Sequence, residues 1–425
     1  MRKDAKEERA LRAMCEPGTD GSEGGHEKSE TTAMMLASPH SVPMPTNKKK
    51  KGQKKTMTAE DLAQAAEHAM NVQDPLQAIL LYSKALELPD ADRSSLLAQR
   101  AEVKVSISDQ EGACQDFQAA LEHLNEDDDA AQIASLNLYI GQLSEGTSAL
   151  DCYQKGIQAL HRSMEIEQSG DSNPDETRKQ LAAAYCNVAE LYMTDLCFDD
   201  NAEQECESHI AQALKLVDAQ GKPVVDALQS IASLRLSQSR GIEAVDYILQ
   251  AYEQMRVGCE ALATLVGLRE SSEPNTAAEL LELDCVQNLP GFEFRCQTGK
   301  ILLECVEQLK QRQDERASPC CEAAVCVVGS LLAENDEVVE IWQLTGDVFA
   351  SMEPPVADAA IHHWERAVEM LRAVKKSLDN EALEVEDDDE VQCQIDEVVC
   401  HLEELQSKIS DMKADQARDE TTMTE

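Results

Sequence analysis

One set of small residues recurs along this chain at a fixed interval, and it limits the possible folds more than any other feature. Between Thr58 and Leu88, the residues Leu62, Ala65, Ala66 and Ala69 are spaced as one face of a helix, and Ala78, Tyr82 and Ala85 as one face of a second. The following segment repeats the arrangement with Leu97 and Ala101, then Ala113, Phe117 and Ala120, so the second-helix set has moved by 35 residues. Small residues belong where two helices cross closely, and larger apolar ones where neighbouring units pack. A repeat of this length is one hairpin that cannot bury its apolar face alone and must stack on its neighbours.

The pattern continues. A looser third unit has Ala149, Tyr153 and Gly156; a fourth has Tyr185, Val188, Ala189 and Tyr192, then Cys206, Ile210 and Ala213. Leu228, Ile231 and Ala232 followed by Ala244, Ile248 and Ala251 make a fifth. The sixth is stretched, with its helices near "GFEFRCQTGKILLECVEQL" and "CCEAAVCVVGSLLAEN" and an expected insertion near "KQRQDERASP". In the seventh, Trp342, Thr345, Gly346 and Phe349 precede Ala360, Trp364 and Ala367. This is close to the tetratricopeptide pattern, with Thr345 where leucine is usual. The sequence therefore predicts an all-α tetratricopeptide (TPR) right-handed superhelical solenoid of about seven helical hairpins with a C-terminal capping helix.

Around this array the chain divides by composition. Residues 1–56 are polar and rich in Gly, Ser, Thr and Pro, read as a disordered tail. It ends in Lys48, Lys49, Lys50, Lys51, Lys54 and Lys55, either a nuclear-import signal or a plain flexible lysine run. Residues 57–376 hold the repeats, 377–390 read as an acidic loop, 391–416 as a C-terminal helix, and 417–425 as a disordered end. "NEDDDA" and "EVEDDDE" read as loops between elements. In the C-terminal helix Val391, Ile395, Val398, Leu402, Leu405, Ile409 and Met412 form a heptad seam, which fits a cap on the last repeat or a short coiled coil.

Charge narrows the partners. The chain carries 38 basic and 81 acidic residues, net −43, unevenly spread: residues 1–56 hold 12 basic against 8 acidic, leaving 26 against 73 in the rest. Such a body repels nucleic acid and anionic membrane and steers a basic partner toward itself. Solubility alone is the plainer reading, but it requires less excess charge than this. The 15 cysteines include no C-x-x-C pair, and "MRKDAKEERALR" is too charged for a signal peptide, so reduced thiols inside a cell are expected. No apolar run approaches the ~20 residues of a membrane span.

Candidate chemistry is thin. "TGKI" lacks the glycines and the Ser/Thr of a phosphate loop. Adjacent His362 and His363 point to different sides of a helix, and Cys320, Cys321 and Cys326 lack zinc spacing. The stretch "AELYMTDLCFDDNAEQECESHI" gathers two cysteines, several carboxylates and a histidine, which could hold a metal or form the bend of a hairpin. The repeat register favours the bend. It makes Cys206 a seam residue, has Cys197 close the first helix, and offers Asp199, Asp200 or Asn201 as the cap of the second. No catalytic residue, metal or cofactor is expected, and no enzyme.

In TPR arrays positions two, five, nine and twelve of each first helix face the concave side. With Leu62 at position four, position nine reads Glu67, Glu102, Leu138, Glu190, Ser233, Gly299 and Asp347, and position two adds Glu60, Asp226 and Glu340. These acids are either a solvated polar face or a trough for an extended basic segment. A carboxylate clamp of the kind that holds heat-shock chaperone tails needs Lys and Arg on these helices. "AEDLAQAAEHAMN" and "AQIASLNLYIG" have none.

The wording of "AELYMTDLCFDDNAEQECE", "DALQSIASLRLSQSR", "LPGFEFRCQTGKILLE" and "LLAENDEVVEIWQLTG", in this order, resembles the TPR assembly chaperones dedicated to large-subunit ribosomal protein four. The resemblance runs from about Thr58 to Leu371. It implies a binding chaperone that captures the newly made ribosomal protein, shields its basic internal loop in the groove and delivers it to the nucleus for pre-60S assembly. It also implies residence in cytoplasm and nucleus and a nuclear import factor as a further partner, while the acidic charge argues against direct contact with nucleic acid or membrane, and the shortness of the heptad seam against an oligomer. The runner-up is a general TPR scaffold in another complex.

Overall fold

Hydrogen bonding at helix ends sets the hairpin boundaries. The computed structural model describes residues 57–125, 130–167, 175–217, 221–269, 283–384 and 389–423. The chain forms two compact units, Met1–Asp116 and Phe117–Glu425. Among the described residues every extended element is a helix, and the single β-bridge, Val217 with Pro223, is isolated.

The first unit holds α1 (Ala59–Asn71), α2 (Pro75–Leu86), α3 (Arg93–Ser106) and the start of α4 (Gln110–Leu121). Thr58 and Asp61 open α1 as a reciprocal capping box, the Thr58 hydroxyl accepting from the Asp61 amide at 3.1 Å and the Asp61 carboxylate from the Thr58 amide at 3.0 Å. Asp74 caps α2, with Pro75 placed where its missing N–H costs nothing. Leu62, Ala66, Ala69, Ala78, Tyr82 and Ala85 form the core with Leu96 and Val103 of α3, and Ala65 is half-buried.

The second unit continues with α5 (Ala130–Gln142), α6 (Gly146–Glu167), α7 (Asp175–Met193), α8 (Ala202–Ala213), α9 (Val225–Ser237), α10 (Gly241–Arg269), α11 (Asp284–Gln287), α12 (Phe292–Gln311), α13 (Ala317–Glu334), α14 (Val339–Ala350), α15 (Ala357–Glu384) and α16 (Asp389–Met423). The pairs α5/α6, α7/α8, α9/α10, α12/α13 and α14/α15 are the hairpins, and each packs on the next. With α1/α2 and α3/α4 this makes the seven hairpins expected of a TPR-like helical protein. The largest core joins α9, α10, α12, α13 and α14 around Leu228, Ile248, Leu302, Leu331 and Ile341. Arg295 is buried there, its guanidinium donating to the Pro290 carbonyl at 3.0 Å, to Ser330 Oγ at 2.9 Å and to Glu334. A buried charge persists only when its donors are satisfied in this way.

Several expectations are corrected. The link from α12 to α13 is only the short turn after Gln311, so no insertion lies near "KQRQDERASP"; the extra length precedes α12, in long α10 and in α11. Residues 377–384, expected in an acidic loop, continue α15, and α16 extends to Met423 through residues expected to be disordered. Acidic, Gly-free sequence is compatible with a solvated helix. Residues 126–129 and 385–388, within the two acidic breaks, and Lys48 to Lys55 lie outside the described residues. Helix α13 is 18 residues long with mean hydropathy 1.4, enough by length and composition to resemble a membrane span, which the sequence reading passed over; 56% of it is buried in the hairpin stack, as a core helix is.

The heptad seam of α16 turns inward. Val391, Ile395, Val398, Leu402 and Leu405 are buried, and α16 packs on α15. Polar contacts fix the register: His401 to Gln343 at 2.5 Å, Lys413 to Glu365 at 2.7 Å and Gln416 to Asp358 at 2.8 Å. The seam therefore serves as the cap, and little of it is left for a coiled coil.

Candidate functional site

The candidate acids are positioned by the close approach of each first helix to its second. Glycine is needed on the inner face of a first helix wherever a large second-helix side chain lies across it. A Cβ on Gly346 would stand 2.4 Å from the Trp364 ring, and one on Gly141 2.9 Å from Tyr153. Gly141 lies one turn beyond position eight of the third hairpin, which is the buried Asn137, so Leu138 keeps position nine. The Leu138 side chain packs on Gly156, where a Cβ would meet it at 2.7 Å. Gly299 is likewise buried, against Leu344 and Val328, and half-buried Lys300 next to it faces Glu340.

In the first unit Glu60, Glu67 and Glu102 are exposed. Glu67 and Glu102 stand near one buried ring: burial, then these two carboxylates, pushes the Tyr82 hydroxyl above its ordinary pKa. Burial also raises the Glu102 carboxyl. The pair forms a small negative surface over an apolar floor.

In the second unit Glu190 is exposed beside Tyr153, whose hydroxyl is pushed up to about 12 by burial, then by Glu190 and Cys152. Asp226 is half-buried at the start of α9, and desolvation raises its carboxyl, opposed by its own backbone N–H and by Lys179. The last two candidates are already engaged within the chain. Glu340 is paired with Lys300 at 2.5 Å. Asp347 meets Lys408 of α16 at 3.2 Å and accepts from Trp364 Nε1 at 3.0 Å. Burial raises its carboxyl despite both partners. Sequence periodicity could not reveal this, because Lys408 lies 61 residues away. Of the seven acids, the fold neutralises Glu340 and Asp347, while Glu60, Glu67, Glu102 and Asp226 have no ion pair among the described residues.

The stretch Ala189–Ile210 is a hairpin bend. Helix α7 ends at Met193, so Cys197 lies in the turn and does not close the helix, and Asn201 takes the N-cap position without a side-chain hydrogen bond. Cys206 is buried with Ile210, Ile231 and Leu234, and burial pushes its thiol up to about 11, away from the thiolate a metal needs. His209 stacks between Tyr185 and Tyr192, with Nδ1 bonded to the Glu205 carbonyl at 2.8 Å. His363 repeats the device between Trp342 and Phe349, bonded to the Ala359 carbonyl at 2.7 Å. No group of three or more potential metal ligands occurs among the described residues.

Comparison with known proteins agrees with this architecture. No protein-family model matches the chain. It is 27% identical over 274 residues to the probable assembly chaperone of rpl4 of Schizosaccharomyces pombe, a match covering 64% of this chain and 67% of that protein. Among solved structures, a chain of the Assembly Chaperone of RpL4 (Acl4) aligns with a TM-score of 0.50 and 22% identity, over 72% of this chain and 100% of the solved one. In sequence and in fold the chain resembles the assembly chaperones of ribosomal protein L4.

Proposed function

We propose that this chain is a binding chaperone, not an enzyme, that captures newly made large-subunit ribosomal protein four. The single observation that carries this reading is the 27% identity to the fission-yeast protein over 274 residues. The carboxylates give it a mechanism. Glu60, Glu67 and Glu102 in one unit, and Glu190 and half-buried Asp226 in the other, offer negative charge at or near the surface. A strongly basic segment is drawn to such a surface and is kept from phosphate backbones while it is held. Glu340 and Asp347, paired with Lys300 and Lys408, leave the proposed contact set. Shielding of the basic internal loop, passage from cytoplasm to nucleus with an import factor, and release into the pre-60S particle belong to the same proposal. Lys48 to Lys55 are its candidate import signal.

Affinity capture from a cell extract at ~0.1 M salt, where surface charges still act over about 10 Å, tests the reading. One basic ribosomal protein, large-subunit protein four, should dominate the bound fraction and elute as salt rises. A stable mixed complex without it would support a general scaffold instead.

A further inference from the structure

A cleft of about 670 Å³ in the second unit is lined by side chains whose chemistry the acid row does not explain. Its walls come from the start of α7, the start of α9, the middle of α10, α11 and the first turn of α12. The cleft is built into the fold: α11 lies so close on α10 that a Cβ on Gly258 would stand 2.3 Å from the Cys285 carbonyl oxygen. Only glycine permits that approach.

The cleft is lined by three carboxylates, Asp175, Glu176 and Asp226, by two cations, Arg178 and Lys179, and by the side-chain amides of Gln254 and Asn288. Asp226 is largely desolvated, and only its own backbone N–H and the more distant Lys179 favour its charge. Gln254 spends its Nε2 on the Pro223 carbonyl at 3.0 Å and presents Oε1. Asn288 spends its Nδ2 on the Asp284 carbonyl at 2.8 Å and presents Oδ1. Arg178, on the same wall, is engaged with Asp175 and the Val217 carbonyl. Around these acceptors Phe294, Leu289 and the exposed Val257 supply apolar surface.

A divalent cation takes several oxygen ligands, and the carboxylates here do not gather as such a group, since no cluster of three or more potential metal ligands occurs among the described residues. An anion would face three carboxylates and two amide oxygens, with Arg178 already engaged and Lys179 the one other cation of the lining. A purely apolar ligand would leave Asp226 further desolvated without a partner. What remains is a donor-only head on an aliphatic stem. A planar guanidinium, with five donors and weak hydration, suits one carboxylate and two amide oxygens better than an ammonium does. We propose that this cleft takes one arginine side chain of the bound basic protein, its guanidinium against Asp226 and its stem along Phe294 and Leu289. The assignment rests on the reading of the chain as a carrier of a basic protein, and it adds to that reading a pocket that selects arginine over lysine.

The test uses the full chain and N-acetylarginine amide as probe, titrated by calorimetry beside its lysine counterpart and its neutral near-isostere N-acetylcitrulline amide. Arginine should bind more tightly than lysine, and citrulline weakly or not at all. Asp226→Asn should weaken arginine binding about tenfold or more, the usual scale for a lost charged hydrogen bond. Asn288→Lys, which places a cation at the exposed rim, should block the cleft with an unchanged circular dichroism spectrum. Equal binding of arginine and citrulline, or arginine binding unaltered by Asp226→Asn, would overturn the assignment. Capture of the ribosomal protein is measured in parallel. A chain that captures it yet shows no Asp226-dependent arginine binding loses only the cleft; a chain that captures no basic protein loses the carrier reading.

Discussion

Gly346 shows how much one residue decides in this fold. The Trp364 ring fills the space its side chain would take, and the Trp364 indole N–H then reaches Asp347. Gly346→Ala forces ring or backbone to move, a change that costs about 1–3 kcal/mol in packed interiors. The chain has only two tryptophans, so a lowered melting point should be accompanied by a shift in tryptophan emission. Asp116 matters in another way. Its side chain is 7% exposed and receives Arg100 at 2.6 Å and Lys104 at 2.8 Å. Burial pushes its carboxyl up, but the hydrogen bonds and charges of Arg100 and Lys104 outweigh it and hold the group below the ordinary value of 3.8. A depressed acid stabilises the fold above the unfolded pKa, and that contribution is lost as pH falls through the folded pKa. Asp116→Asn should therefore cost on the order of 3 kcal/mol at pH 7, leaving two half-buried cations unpaired. Urea unfolding at successively lower pH should show the gap between variant and wild type close below about pH 4. A gap constant to pH 2 would contradict this account of the triad.

At the scale of elements, the turns share a device that the sequence does not advertise. Gln73, Ser108, Ser239 and Gln313 have φ of 60°, 62°, 58° and 54°, where glycine is usual. In each case the next amide bonds back to the helix just ended, as Asp109 does to the Lys104 carbonyl at 2.9 Å. Three of these following residues, Asp74, Asp109 and Asp314, also accept from an amide of the next segment. Ser108→Gly should gain about 0.5–1 kcal/mol in urea unfolding by removing the left-handed penalty, whereas Gln115→Gly at an exposed position of α4 should lose about 1 kcal/mol. The alanine and aromatic spacing made most hairpins legible beforehand, because close helix crossing admits few residue types. It was least informative at the third hairpin, where Leu138 at position nine packs on Gly156 of the second helix. It also missed Arg295 and the imidazoles of His209 and His363, whose partners are set by tertiary packing.

For the molecule as a whole, the net charge of −43 was plain from composition, but the distribution of usable charge was not. Helical register placed seven acids at groove positions. The fold withdraws Glu340 and Asp347 through Lys300 and Lys408, two cations whose roles depend on which helices meet. Cap and array are thus one system, since α16 closes the last hairpin with buried seam residues and covers Asp347. The central claim is that exposed acids of the first helices capture a basic protein. Its most direct test is the affinity of the full chain for large-subunit ribosomal protein four, wild type against the combined Glu67→Lys, Glu102→Lys and Glu190→Lys variant. The account predicts a folded variant by circular dichroism that binds at least about 100-fold more weakly at ~0.1 M salt, with most of the wild type's salt sensitivity gone. A folded variant that binds as tightly as wild type would contradict it.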